Sequence, residues 1–458
     1  MALVPVPGTE LTAVEAAIPE DVRGLLGTLW SAGHAGYVVG GSLRDLFLDR
    51  EPHDWDLATD ARPDRLLEIF PGSIYENRFG TVTVRRSDRL YQITTFRSDH
   101  DYADFRRPHR IEFGDTIEVD LARRDFTANA LAWGAPTSME PGLVDPYDGR
   151  ADIDARVLRA VGEPHLRFEE DALRMIRAVR FAATLGFTIE AGTLAGIGSR
   201  SELARHLSGE RIFTELDRLL GAPRPSIGLR LLSETDLLSA ISPELAAQRG
   251  IAQNKAPGED LWDHTIRTVD AARAERPVVR LAALLHDIGK PATFADAHFI
   301  GHDVVGAEVA GAFLDRLRTP REVRETVVHL VRHHMFDYQA GWSDAALRRF
   351  IAKIKPRHVD DLLDLREADN EGSGRPRFAG RLAELRARVE AELAADLVLH
   401  RRDLAIDGRD LMIEFGLEEG PTLGRILDEL LERVLDDPAL NDRATLLLLA
   451  QASLVEDR

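Results

Sequence analysis

The chain changes its hydrophobic rhythm near residue 150. Before that point, short apolar runs alternate with polar turns. Tyr37-Val38-Val39 reads as a strand that runs into a glycine pair. Ser42, set as an N-cap, opens a helix predicted through Leu48, and after the Glu51-Pro52 turn Trp55 to Thr59 reads as a second strand. Helices are predicted near Val22 to Ala32 and from Asp64 to Phe70. Thr81 to Val84 and Leu90 to Phe96 alternate with period two around Ser87-Asp88, which predicts a hairpin. The polar, turn-rich stretch from Ser98 to Asp120 predicts a mobile loop. Beyond residue 150, Ala172, Met175, Ile176, Val179 and Ala183 share one helical face, as do Phe213, Leu216, Leu219 and Leu220. Val278 to Leu285 reads as a buried helix, and a final helical segment over 380–458 breaks at Asp407-Gly408 and Gly420-Pro421. Pro223-Arg224-Pro225 and Gln253 to Gly258 are the candidate linkers. The pattern predicts an α+β protein: a mixed α/β part over 1–150, then an all-helical remainder divided as 151–256, 257–378 and 379–458.

Composition narrows the class. The 458 residues contain no cysteine, which excludes disulfides and Cys-based metal or redox sites. Met1 to Glu20 lacks the basic and apolar regions of a signal peptide, and no apolar run approaches a membrane span, so a cytoplasmic protein without membrane contact is expected. The net charge of -19 argues against a general nucleic-acid coat protein. A local basic stripe can still bind RNA on such a body, and residues 154–230, with 12 arginines, no lysine and 10 acidic residues, form one. The sequence carries no reading of oligomeric state.

The candidate chemistry centres on Gly40-Gly41-Ser42-Leu43-Arg44-Asp45 and His53-Asp54-Trp55-Asp56. A glycine turn at a helix start lets backbone N–H groups approach a phosphate. Residues two apart on a strand share a face, so Asp54 and Asp56 would direct both carboxylates to one point. A phosphate cradle beside paired carboxylates suits metal-assisted phosphoryl transfer.

In the form GGxxRD…DxDxxT this stretch resembles the nucleotidyltransferase superfamily, in the branch of tRNA CCA-adding enzymes and bacterial poly(A) polymerases. The resemblance implies a polymerase-β-like head followed by a helical neck, body and HD domain. It implies Mg²⁺ on Asp54 and Asp56, and triphosphate contacts from Gly40, Gly41, Ser42 and Arg44; for Arg44 an ion pair with Asp45 is an equal reading. Gln92 stands where the family usually has a third carboxylate, which removes one metal ligand. Asp101 to Pro108 resembles the start of the family's flexible loop. Arg123-Arg124-Asp125-Phe126-Thr127-Ala128-Asn129-Ala130 resembles its RRDFTxNA motif, which makes Arg124, Asp125 and Asn129 nucleotide-binding residues that select a ribose. Asp145 to Gly149 resembles a hinge-like element, with Asp148 where glycine is usual.

Glu170-Asp171-Ala172-Leu173-Arg174, with Arg177 and Arg180, resembles the family's base-reading EDxxR motif. Asp171 and Arg174, three apart on a helix, share a face. Cytosine and adenine both present an amino donor beside a ring acceptor, an order that guanine and uracil lack. One Asp/Arg pair therefore fits CTP and ATP. Ser208 to Glu215 resembles a helix-supporting ER…E motif and is assigned structure. The arginine-rich neck is where the tRNA acceptor end is expected.

Seven of the 15 histidines fall between 264 and 334. His286-Asp287, at the end of an apolar helix, suggests metal ligands. This part resembles the HD phosphohydrolase domain, which implies His264, His286, Asp287 and Asp369 as ligands, with His302 and His334 (or His333) as further ligands or phosphate contacts. The implied metals are Mn²⁺, Ni²⁺, Co²⁺ or Mg²⁺. A domain kept as a structural body is the alternative.

The expected function is template-independent CCA addition to tRNA 3′ ends from CTP and ATP, with a possible phosphohydrolase activity in the HD part. The alternatives are a poly(A) polymerase, a CC-only or A-only enzyme, and an HD phosphohydrolase with a non-catalytic RNA-binding N-terminal half. The acidic segment 399–458, with 7 arginines against 14 acidic residues, disfavours the first.

Overall fold

A computed structural model describes residues 14–75, 80–102, 108–137, 139–252, 258–296, 298–339, 341–374, 379–394 and 398–456. The chain forms two compact units, Met1–Ala246 and Ala247–Arg458. The stretches expected as head and neck fall in the first unit up to Ala246, and the HD and tail stretches in the second.

The first unit is built on a seven-stranded sheet of order β3-β4-β5-β2-β1-β8-β9. Its strands are β1 (Gly36–Val39), β2 (Asp56–Thr59), β3 (Ile74–Tyr75), β4 (Thr81–Arg86), β5 (Arg89–Thr95), β8 (Ala132–Ala135) and β9 (Gly142–Val144). Only β2 and β5 run parallel, with Asp56 beside Gln92; the other pairs are antiparallel. The crossover between them carries the helix Pro63–Ile69, because a parallel pair cannot be joined by a tight turn. β4 and β5 form the expected hairpin through Ser87, whose φ of 49° suits a two-residue turn. Tyr37, Val39, Ala58, Phe96, Leu121 and Val144 pack in one core beneath the sheet.

Four expectations need correction here. Ser98–Asp120 is no loop: β6 (Arg97–Tyr102) pairs with β7 (Pro108–Phe113), and a helix covers Ile117–Ala122. The ribbon lacks apolar alternation in its sequence and is specified by backbone pairing, so period two left no trace. Residues 103–107 of the family-like loop lie outside the described residues. Ser42 is not the N-cap; the helix spans Gly41–Phe47 with Gly40 as cap, and Ser42 sits buried in its first turn. Asp54 precedes β2 rather than lying on it. Pro223–Pro225 is no linker, since Pro225 starts the helix Pro225–Glu234 inside the first unit. Of the other linker candidate, 253–257 lie outside the described residues.

The helical part of this unit follows the predicted faces. Met175, Ile176, Val179 and Ala183 are buried along Leu173–Leu185, and Ile212 takes a buried place beside Leu216, Leu219 and Leu220 while Phe213 is half-buried. In the hinge-like element, Asp148 adopts φ 56°, and Asp145 accepts from the N–H groups of Gly149 and Arg150 at 2.7 and 2.8 Å.

The second unit is helical. Asp260 caps Leu261–Ala271 through a reciprocal box with Asp263. Pro277–Leu285, buried as expected, leads through His286 to a short helix, Lys290–Thr293. Helices His302–Arg316, Arg321–His333, Asp344–Ile354, Pro356–Gly372 and Ala379–Leu393 follow. Ile406, Leu411, Ile426, Leu430 and Leu446 form a separate core near the end of the unit. No helix among the described residues is long and apolar enough to cross a membrane.

Candidate active site and metal centre

β1 delivers the chain to Gly40, whose φ of 80° is open to glycine and strained for other residues. A Cβ there would lie 2.6 Å from Arg124 Nη1. The absence of a side chain thus lets the turn meet the Arg124 guanidinium. Asp56 starts β2 at the edge of two cavities. One, about 370 Å³, is bordered by Asp56, Gln92, Arg124, Asp125, Asp171 and Arg174 among others; the second, about 840 Å³, by Asp54, Asp56 and Gln92 with His53 and Arg89. Asp56 joins the sheet through its backbone, but neither the Asp54 nor the Asp56 carboxylate has a hydrogen bond or ion pair among the described residues. Paired acidic oxygens in that condition fit a divalent cation. Asp56 is accessible to solvent yet crowded by protein, and this desolvation raises its pKa; Asp54 adds to the rise and Arg124 opposes it. The two carboxylates feel each other although strand alternation does not pair them. Ser42 Oγ is buried without a partner among the described residues, a donor left over for a ligand.

Behind this edge runs a buried polar chain. Arg44 does not reach outward: Nε and Nη2 donate to Asp45, Nη1 donates to Asn129 Oδ1 at 2.6 Å, and the guanidinium lies 5.1 Å from the Phe181 ring. Asn129 Nδ2 donates to Asp125 Oδ1, and Arg177 donates to Asp125 Oδ2 at 2.8 Å. Burial pushes the Asp125 carboxyl up, but Arg177 and the Asn129 amide outweigh it and hold its pKa at about 2. Arg124 donates to Asp120, which Arg123 also clamps.

Asp171 and Arg174 both border the smaller cavity, by a different route from a shared helical face. Asp171 follows the helix Pro164–Glu170 with φ −147° and accepts from Leu173 N, as a short carboxylate does at a helix start. Its other oxygen accepts from Arg211 Nη2 at 2.6 Å. Arg174 pairs with Glu170 at 2.7 Å and donates to the carbonyl of Arg123 at 2.8 Å. Each side chain is thus fixed by a third party, leaving the carboxylate two unused acceptor sites and the guanidinium its Nε–H and one Nη2–H. Arg211 also borders the cavity and was missed as a site residue; its ER…E motif was the available signal. Arg180 is turned away: it pairs with Glu215 at 2.5 Å and lies 3.8 Å from the Phe181 ring. Most neck arginines are likewise paired within the unit, among them Arg159, Arg167, Arg200 and Arg205.

In the second unit the structure gathers all six expected ligands. His264, His286 and Asp369 form one buried group, and Asp287, His302 and His334 a second. Asp287 stands between them: Oδ2 is 3.1 Å from His286 Nε2 and 3.5 Å from His264 Nε2, while Oδ1 is 3.5 and 3.7 Å from His302 and His334 Nε2. The two Nε2 atoms within each group are 3.1 and 3.3 Å apart. A tetrahedral ion with bonds of about 2.1 Å has ligand–ligand edges of about 3.4 Å. His286, His302 and His334 each direct Nδ1 at a backbone carbonyl 2.7 Å away, that of Ala283, Phe299 and Val331 respectively. The Nδ1–H donates there, so the Nε2 lone pairs face inward and would repel unless a cation or proton lies between them. Burial lowers the pKa of His286 and His302, against the pull of Asp287. His333, the alternative to His334, is not in either group. Lys290 donates to Asp287 Oδ2 at 2.6 Å and Arg366 to Asp369 Oδ2 at 2.9 Å. Gly289 permits this packing, since a Cβ there would lie 2.4 Å from His302 O and Gly306 N. A cavity of about 560 Å³ opens on the centre, bordered by Lys290, Arg366, Asn370, Phe299 and Phe336 among others.

The family model for the poly A polymerase head domain matches residues 36–159, and that described as the probable RNA and SrmB-binding site of polymerase A matches 186–249. The model for tRNA nucleotidyltransferase domain 2 matches 303–450. The chain is 34% identical to the CCA-adding enzyme of Geobacillus thermodenitrificans over 93% of this chain and 94% of that one. The chain belongs to the CCA-adding enzyme family. A CCA-adding enzyme of Lactococcus lactis subsp. cremoris is likewise 34% identical, over 91% of this chain and 92% of the relative. Among solved structures, the Bacillus stearothermophilus CCA-adding enzyme in complex with CTP superposes with a TM-score of 0.73 at 28% identity, covering 96% of this chain and 98% of that one. The Thermotoga maritima CCA-adding enzyme complexed with tRNA shares the fold, with a TM-score of 0.61 at 19% identity, covering 99% of this chain and all of that one. The matched models leave 250–302 uncovered, the stretch that holds His264, His286 and Asp287.

Proposed function

We propose that this family member adds C, C and A to tRNA 3′ ends from CTP and ATP with release of pyrophosphate, in the cytoplasm. The observation that carries the reading is the cavity bordered by Asp56 together with Asp171, Arg174 and Arg211. Asp171 accepts from the amino group of cytosine or adenine, and Arg174 donates to the adjacent ring nitrogen. Because Arg211 and Glu170 hold these two side chains, the protein itself stands in for a template. The Gly40–Ser42 turn takes the triphosphate, and Asp125, with Arg124, faces the ribose. Mg²⁺ held by Asp54 and Asp56 would supply the charge that activates the 3′-hydroxyl and stabilises the leaving pyrophosphate. A tRNA transcript lacking CCA, incubated with each nucleotide and resolved on a gel, tests this. CTP alone gives two additions, CTP with ATP gives three, and GTP or UTP gives none; a stop after CC or an unlimited A ladder overturns it.

The six-residue centre supports a second reading, a metal-dependent phosphohydrolase acting at tRNA 3′ ends. The Nε2 and carboxylate spacing suits divalent ions (Mn²⁺, Ni²⁺, Co²⁺ or Mg²⁺), which His264, His286 and Asp369 on one side and Asp287, His302 and His334 on the other would hold. Ions held there would supply Lewis-acid charge to a phosphate ester. Lys290 and Arg366 orient the two carboxylates and border the cavity that receives it. Release of phosphate from monoesters, or opening of 2′,3′-cyclic ends, is the assay. A wild type inert with all four metals sinks this reading.

A further inference from the structure

A second set of histidines lies outside both sites. His329 and His333, one turn apart on Arg321–His333, have ring centroids 4.6 Å apart, and His358 of Pro356–Gly372 lies 4.8 Å from His329. The trio does not form a ligand group of the kind found at the metal centre, among the described residues. His329 Nε2 instead holds the carbonyl of Ile354 at 2.8 Å, fixing the junction where helix Asp344–Ile354 passes into Pro356–Gly372.

That junction is Lys355, with φ 68° and ψ 131°. L-residues rarely adopt this conformation, and such strain persists where the surroundings impose it, commonly at functional sites. Lys353, Lys355 and Arg357 are all exposed there, and none has an ion pair with an acidic group among the described residues. Only four lysines occur in the chain, and two are here. Their field is felt by His358, which burial, then His329, then Arg357 and Lys355 push down to about 4; the positive charge of the patch belongs to the lysines and the arginine. Of the nearby acids, Glu325 pairs with Arg321 and feels Arg357 at longer range, Asp303 pairs with Arg332, and Asp360 and Asp361 pair with Arg386 and Arg276. In a chain of net charge -19, whose neck arginines are mostly paired, three exposed cations within five residues, none of them in an ion pair among the described residues, fit a polyanion.

We propose that Lys353, Lys355 and Arg357 form a phosphate-contacting surface for the tRNA substrate on the second unit. The proposal rests on tRNA being the substrate. A polyanionic backbone is favoured over an acidic protein because exposed cations suit backbone phosphates, which need charge and little shape.

The test uses the full chain and the triple variant Lys353→Ala/Lys355→Ala/Arg357→Ala. Dissociation constants for tRNA lacking CCA are measured across NaCl concentrations, beside the KM values for tRNA and CTP. Each phosphate contact contributes about 0.7–0.9 to the slope of log K against log salt. The variant should show a slope shallower by about two to three and a tRNA KM raised by roughly tenfold or more near 0.15 M salt. Its CTP KM and its kcat at saturating tRNA should match the wild type, which also shows that it is folded. Lys353→Arg/Lys355→Arg should keep the wild-type slope. If the wild type extends tRNA and the triple variant has an unchanged slope and tRNA KM, the surface is refuted while the proposed function stands. A wild type that neither binds nor extends tRNA refutes the function itself. A variant that loses polyglutamate binding while tRNA binding is intact refutes RNA as the partner.

Discussion

Replacing Arg177 by methionine would isolate the buried charge at the centre of the first unit. Asp125 is buried, and Arg177 meets its Oδ2 with Nε and Nη2 at 2.8 and 2.7 Å while also lying 3.8 Å from Glu215. The Asp125 pKa is held at about 2, against the ordinary 3.8 of an aspartate carboxyl. That difference corresponds to about 2 kcal/mol of stability. Because the folded value is the lower one, the contribution is complete above about pH 4 and is lost as the pH falls through about 2. Without Arg177, burial prevails and drives the carboxyl up, so at neutral pH the variant carries an uncompensated buried charge. The expected loss is about 3–5 kcal/mol at pH 6, shrinking towards pH 3 as Asp125 takes up a proton. Urea unfolding followed by circular dichroism at both pH values, with the transitions of the two units fitted separately, measures it. Arg177→Met/Asp125→Asn should recover most of the stability but not nucleotide addition. A loss equal at both pH values, or a double variant no better than the single, would refute the electrostatic account.

Other substitutions test other parts of the structure. Gly40→Ala places a Cβ 2.6 Å from Arg124 and strains a positive φ, so kcat/KM for CTP should fall by roughly 100-fold with the fold retained by circular dichroism. Gln92→Glu adds a carboxylate in register with Asp56, and half-saturation by Mg²⁺ should drop several-fold in a titration of initial rates. His286→Ala and Asp287→Asn should abolish bound metal, measured by mass spectrometry, and any phosphatase signal, while CTP incorporation is unchanged; loss of incorporation would mean that the centre supports the fold instead. Gly289→Ala should act in the same direction, because its Cβ would displace the backbone that carries His302.

The strands and helices that bury an apolar face were legible from spacing alone, from Tyr37-Val38-Val39 to the Met175–Ala183 face. The β6–β7 ribbon was not, because its pairing is a property of the backbone and its side chains carry no alternation. Asp54 and Asp56 were expected to share a strand face; Asp54 instead lies in the segment before β2, and both border the larger cavity of the first unit's site. Asp171 and Arg174 were expected from the resemblance to EDxxR and a shared helical face, yet what fixes them, Arg211 and Glu170, depends on the approach of a helix distant in sequence and on the break in the chain at Asp171. The histidines were legible as a cluster in the sequence. Their division with Asp287 and Asp369 into two groups required the three-dimensional packing of five helices.

The carbonyls of Ala283, Phe299 and Val331 have one more consequence. Each holds an imidazole by its outer nitrogen from the main chain of the segment leading into it, independently of whatever the inner nitrogen meets. The donor atoms are therefore arranged before an ion arrives, unlike sites whose folding energy comes from the metal. Chelation should leave the helical unit standing, and an ion species added back should load without refolding, so occupancy would follow the supply of free metal around the protein.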